Sequence, residues 1–185
     1  MRIREFMTTN AKACVPEQSC ATVGEIMRRR QCGFVPIVDS PKTKRVIGVV
    51  TDRDIMLHLI RVDRPASRVA VKACMTNAPT TISSEANLED AVRVMKEAAL
   101  RRLPVVDRRK LVGVLSLQDI ALAARRQWAY VAPHVTEQHV TEVLEAIAVA
   151  RENHKGQSRR SLSYGETTEG ERDGRSSGRY AKAAD

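Results

Sequence analysis

Aromatic residues are scarce in this sequence, 3% of 185 residues. Two phenylalanines, three tyrosines and one tryptophan cannot supply the row of exposed rings on which single-stranded nucleic acid stacks. No apolar run approaches the length of a membrane span. The charged stretch from Met1 to Asn10 lacks the apolar core of a secretory signal. The four cysteines, Cys14, Cys20, Cys32 and Cys74, contain no C-x2-C pair, which argues against a zinc site. They read as reduced, mostly buried thiols of a cytoplasmic protein. There is no P-loop, and Gly24, Gly33 and Gly48 form no G-x-G-x-x-G. His58, His134, His139 and His154 lie in no nucleophile motif, and His134 and His139 are off the i, i+4 spacing of paired helical ligands. The sequence therefore offers no catalytic residue and no metal ligand set.

What is present is aliphatic and basic. Apolar residues make up 43%, so a core must be built from Val, Ile, Leu, Met and Ala. The length suits one ordinary domain or two small halves folded together. The net charge of +9 is compatible with a nucleic-acid partner. The arginines, however, fall in short scattered runs: Arg28–Arg30, Arg101–Arg102, Arg108–Lys110 and Arg125–Arg126. That distribution favours a solvated basic surface, with a few cations left to serve a bound phosphate.

The chain repeats itself. Met7-Thr8 recurs 68 residues later as Met75-Thr76, Met27 as Met95, and Pro36-Ile37-Val38-Asp39 as Pro104-Val105-Val106-Asp107. After the aspartate the offset falls to 65, and Val46-Ile47-Gly48-Val49-Val50-Thr51 matches Leu111-Val112-Gly113-Val114-Leu115-Ser116. The missing residues fall in the polar turn, where length changes are tolerated. Each copy reads as β-α-β-β-α. In the second, Thr80-Thr81-Ile82 predicts a short strand. Leu88, Ala91, Val92, Met95, Ala98 and Ala99 have helical spacing. Two β-branched runs flank the turn Asp107–Lys110, and Ile120 to Arg126 forms a closing helix capped by Ser116. In the first copy, helices are predicted at about Thr22–Arg30 and Asp52–Arg61, and strands at Phe34–Val38 and Val46–Val50.

Met-Thr, a helix, Pro-Val-Val-Asp, then Gly-apolar-apolar-Thr/Ser-x-x-Asp resembles the CBS repeat. Two in tandem resemble a CBS pair, or Bateman module, over about Met7 to Ala124. The resemblance implies an α+β fold. Repeats at 7–62 and 75–126 would pack through their sheets about a pseudo-two-fold axis. It also implies clefts for AMP, ADP, ATP, NAD or a related adenosine ligand, and assembly of two pairs into a flat homodimeric disc. On this reading the protein is no enzyme but a regulatory module acting on an unidentified partner protein.

The ligand candidates sit where strands meet helices. Thr51 opens a helix, where free amides favour an anion. Arg53 adds charge, and Asp54 offers two acceptor oxygens to a pair of ribose hydroxyls. Equally, Thr51 reads as a plain N-cap and Asp54 as a carboxylate suited to the helix dipole. The resemblance weighs toward the ligand, because the Thr/Ser and second Asp are the family's usual phosphate and ribose contacts. The second copy matches with Ser116 and Asp119. It lacks the neighbouring arginine but carries Arg101-Arg102, where the family often directs a basic residue at phosphate. The first copy has Gly33-Phe34 there, so the two clefts differ. The adenine is expected against Val35, Pro36 and Ile37 or Leu103, Pro104 and Val105, although most of these also read as core. Segments containing Thr9 and Ala11, and Asn77 and Pro79, are expected to line the clefts through backbone groups.

Past Arg126 the chain leaves the repeat. An amphipathic helix is predicted at 135–154, with Val140, Val143, Leu144, Ile147 and Ala148 on its apolar face. A polar, disordered tail is expected at 155–185. The competing function is a basic nucleic-acid-associated or structural protein with empty clefts, whose binding would weaken steeply with salt.

Overall fold

Strong periodicity in each copy becomes regular structure in the computed structural model, which describes residues 2–127, 138 and 140–150. The elements run α1 (Cys20–Arg30), β1 (Phe34–Val38), β2 (Val46–Thr51), α2 (Asp52–Val62), β3 (Thr76–Asn77), β4 (Ile82–Ser83), α3 (Leu88–Glu97), β5 (Arg102–Asp107), β6 (Lys110–Ser116) and α4 (Leu117–Gln127). Residues 140–150 form a further helix, α5. Short 3-10 turns lie at Ile3–Glu5, Ala66–Arg68 and Val71–Ala73. The rest of the predicted 135–154 helix, and the whole 155–185 segment, lie outside the described residues.

Local chemistry explains the boundaries. Ser19 caps α1 by accepting from the Thr22 amide at 3.1 Å. Leu88, Ala91, Val92 and Met95 of α3 are all buried, a stripe that puts one face of the helix on the core. The expected strand over Thr80-Thr81-Ile82 is corrected to Ile82–Ser83, because its position is set by parallel pairing with Val105 and Val106. Local propensity carries no information about that distant partner.

Two three-stranded sheets result, ordered β1-β2-β3 and β4-β5-β6. Their composition shows how the halves are joined. β3 comes from the start of the second copy, yet Thr76 and Asn77 pair with Val49 and Gly48 of the first. Reciprocally, Thr8 pairs with Val114 of the second sheet, with both backbone hydrogen bonds at 3.0 Å. Ile3 donates to the Ala86 carbonyl, and its counterpart Val71 donates to that of Gln18. Such reciprocity is the mark of a two-fold relation. Arg45 bridges Lys110, its own counterpart, and so lies on that axis.

Each repeat has its own core. The first gathers Cys14, Cys20, Val23, Met27, Val35, Ile37, Val50 and Ile55, with Val69 and Val71 from the connection. The second gathers Leu88, Ala91, Met95, Leu103, Val105, Leu115 and Ile120 around Ile3 from the chain's start. Val143 and Ile147 of α5 join the second core, and Lys96 meets Glu142 at 2.6 Å.

Burial pushes the thiols of Cys14 and Cys74 up to about 12, and Cys20, whose sulfur lies 3.8 Å from that of Cys74, adds to both shifts. An unfolded thiol ionises near 9, so the unfolded chain loses protons first as pH rises from 9 towards 12. Stability is therefore expected to fall across that window. Unfolding midpoints in urea, measured every half unit of pH, should fall less steeply in Cys14→Val than in the parent chain. Parallel slopes would rule out the buried thiol as the cause.

Candidate functional site

The strand-to-helix junctions of both repeats close into the same hydrogen-bonded box. In the first, one Asp54 carboxylate oxygen accepts from the Thr51 amide at 2.9 Å and from its hydroxyl at 2.7 Å. The Thr51 hydroxyl in turn accepts from the Asp54 amide at 3.2 Å. In the second, Asp119 accepts from the Ser116 amide at 2.8 Å and hydroxyl at 2.6 Å, while Ser116 accepts from the Asp119 amide at 3.1 Å. These are capping boxes, the geometry that the N-cap reading of Thr51 and Ser116 expects. In each box one carboxylate oxygen makes these bonds, and the box residues are only half-buried.

The register sorts the neighbouring residues by face. Phe34 lies opposite Thr51 and Pro36 opposite Val49, while Val35 pairs with Val50 on the other face. Likewise Arg102 lies opposite Ser116 and Pro104 opposite Val114, with Leu103 paired to Leu115. Successive strand residues alternate faces. Val35, Ile37, Leu103 and Val105 therefore point away from the boxes and are fully buried in the repeat cores. These four side chains take the core reading of the strands, which leaves their backbone to any contact with adenine. Pro36 and Pro104 lie on the box face.

Arg53, Arg101 and Arg102 are exposed, and among the described residues none has a carboxylate within ion-pairing distance. Segments 9–13 and 78–81 each cross from one sheet to the other. The first runs from Thr8 beside Val114 to Cys14 beside Ile37, the second from Asn77 beside Gly48 to Ile82 beside Val105. Thr9, Ala11 and Pro79 sit on these crossings, and Asn77 at the end of β3.

Sequence reasoning passed over two residues. Cys74 lies near enough to Asp54 for that carboxylate to contribute to its raised pKa, after burial and Cys20. Its counterpart at the repeat offset is Phe6, packed against the second core. Asp52 places a carboxylate over Gly33, where a Cβ would lie 2.6 Å from its oxygen. The repeat alignment, extended ahead of the motif, points to Cys74, whereas Asp52 stands inside the motif at a position where the second copy has Leu117.

Two open grooves lie elsewhere, one of 490 Å³ beside His58, Arg64 and Arg68 and one of 320 Å³ beside Glu89, Lys96 and Glu142. Neither contains a box. Among the described residues no cluster of His, Cys, Asp and Glu is arranged to hold a metal, and no helix is long and apolar enough to cross a membrane.

Comparison with known proteins matches the model of the CBS domain at residues 3–61 and 71–126. YlbB of Bacillus subtilis is 30% identical over 122 residues, 66% of this chain and 81% of that protein. The CBS domain-containing protein YhcV of the same organism is 31% identical over 120 residues, covering 65% and 83% respectively. Among solved structures, CBSX2 in complex with AMP is 28% identical, with a TM-score of 0.59 over 69% of this chain and 98% of that one.

Proposed function

The chain belongs to the CBS domain family, and from that premise we propose that it is a non-catalytic regulatory module. On this reading it senses an adenosine ligand, AMP, ADP, ATP or NAD, in the clefts between its two repeats. The reading is carried by one observation: the same Thr/Ser–Asp box stands at equivalent strand-to-helix junctions in both halves. The AMP complex of CBSX2 supports the choice of ligand class. In each box the carboxylate would receive ribose hydroxyls, and the hydroxyl and free amides of the helix start would face phosphate. The boxes sit beside the exchanged segments, so occupancy would bias the packing of one repeat on the other. A regulated partner in the cytoplasm would read that change.

The surface supports a homodimer. Met56, Leu57 and Ile60 of α2 are 56%, 50% and 72% exposed, and Leu122 of α4 is 46% exposed. Leu57 and Leu122 are repeat counterparts, so the exposed apolar positions follow the repeat and suit pairing with a second copy.

The test is the melting temperature of the purified chain against AMP, ADP, ATP, NAD and adenosine, with sedimentation of the same samples. A ligand of the folded state raises the melting temperature with concentration. The Asp54→Ala, Asp119→Ala double variant is expected to abolish the shift while the protein still unfolds cooperatively. A full shift in the double variant would remove the two aspartates from the site. A monomer at every concentration would remove the dimer.

A further inference from the structure

We infer that the two boxes take different classes of ligand. The Ser116–Asp119 box takes a phosphate-bearing adenosine, and the Thr51–Asp54 box takes an adenosine without a free phosphate. The inference rests on the adenosine reading above and concerns what distinguishes the two halves.

The contrast lies at two pairs of equivalent positions. Opposite Ser116 the second sheet places Arg102, and opposite Thr51 the first places Phe34, each on the face of its box. The preceding residues are Arg101 and Gly33. Their carbonyls accept from the first amide of the following helix in both repeats, from Leu117 at 2.9 Å and from Asp52 at 3.4 Å, so the two corners are built alike. They carry opposite charge. Leu117 is buried and neutral beneath its corner. The Asp52 carboxylate folds over Gly33, occupying the space in which the second repeat carries the start of an arginine side chain.

The corner beside Ser116–Asp119 thus carries Arg101 and Arg102 with the Asp119 carboxylate, and the corner beside Thr51–Asp54 carries the carboxylates of Asp52 and Asp54 with Arg53. The guanidinium fork matches phosphate oxygens two at a time, and Arg101 and Arg102 have no competing carboxylate among the described residues. A phosphate brought to the first box would instead meet Asp52 and Asp54, and like charges a few ångströms apart repel. The carboxylate of Asp54 still serves ribose hydroxyls there, and Phe34 offers a ring where the other site offers charge.

Titration calorimetry of the full chain tests this with AMP and adenosine. AMP is expected to saturate at one molecule per chain, and AMP-saturated protein should still bind one adenosine. Arg102→Gln, an exposed position, should weaken AMP by at least about tenfold while changing adenosine affinity by less than about threefold. The transplant Phe34→Arg with Asp52→Leu should create a second AMP site. Two equal AMP sites in the parent chain, or AMP binding indifferent to Arg102→Gln, overturns the division between the boxes. Absence of binding by both compounds overturns the adenosine reading with it.

Discussion

Replacing Ile3 with alanine is expected to cost about 2–5 kcal/mol, the range for truncating a fully buried aliphatic side chain. The position looks expendable, two residues from the start of the chain. Yet Ile3 has no exposed surface and sits in the second repeat's core with Ile82, Leu88 and Ile120. Its amide is bonded to Ala86, and Arg2 and Arg4 both reach Glu85, so the backbone is pinned and cannot collapse into the space left behind. The surface ion pairs themselves contribute little. The loss should lower the melting temperature by roughly 5–15 °C. Hydrogen exchange should rise first in α3, β5 and β6, more than eighty residues away, and less in α1 and β1. A cost below about 0.5 kcal/mol, or exchange raised only at the chain start, would show that the segment is not part of that core.

The exchange of segments bears on why the repeat occurs twice. One copy of about sixty residues buries too little surface to be secure by itself. Here each half is completed by a segment supplied from in front of the other: Ile3 to Thr8 seals the second sheet, and Val71 to Asn77 seals the first. Neither half is whole alone, so damage to one exchanged segment should weaken first the half it completes and then the other. On the proposed reading, a ligand held at one junction would then be felt at the other. Phe6 and Cys74 occupy counterpart places on these segments, each packed against the core that its segment completes.

Much of this could be read from the chain. Phe34–Val38 emerges as β1 because five residues of β-branched and apolar character lie between a glycine and a polar turn. The stripe of α3 follows from Leu88, Ala91, Val92 and Met95 at helical spacing. The two junctions were visible because the motif occurs twice at nearly fixed offset. The strand faces were not. A run such as Val35-Pro36-Ile37 is apolar throughout, and only its pairing with Val50, Val49 and Gly48 shows that Pro36 alone shares the face of Thr51. The exchanged segments were invisible for a different reason. Ile3, Phe6 and Met7 form no periodic pattern, and their partners lie far along the chain, where local propensity carries no signal. The contrast of Arg102 with Phe34 follows from the repeat offset, but that each stands opposite its own box needs the register.

Gly113→Val is expected to be at least as damaging as the loss of Ile3, through the opposite fault. A Cβ at Gly113 would lie 2.7 Å from the Thr8 carbonyl oxygen and 2.9 Å from the Met7 sulfur. The sulfur can swing aside. The carbonyl belongs to a backbone that exchanges two hydrogen bonds with Val114 and cannot. A valine adds two methyl groups to that clash, so the segment from Ile3 to Thr8 must leave the sheet and take its apolar side chains with it. Overpacking alone costs about 1–3 kcal/mol, and undocking Ile3 adds to that. Gly48→Val should be milder, since the corresponding carbonyl of Thr76 stands off at 3.0 Å. The shared mechanism has a sharper consequence. Once valine has expelled the segment, Ile3 has no core left to lose, so the cost of Gly113→Val with Ile3→Ala should fall short of the two single costs added together. A double-mutant cycle on the full chain measures that shortfall, expected at about 1–3 kcal/mol. Strict additivity would mean that the glycine and the isoleucine act on different parts of the fold.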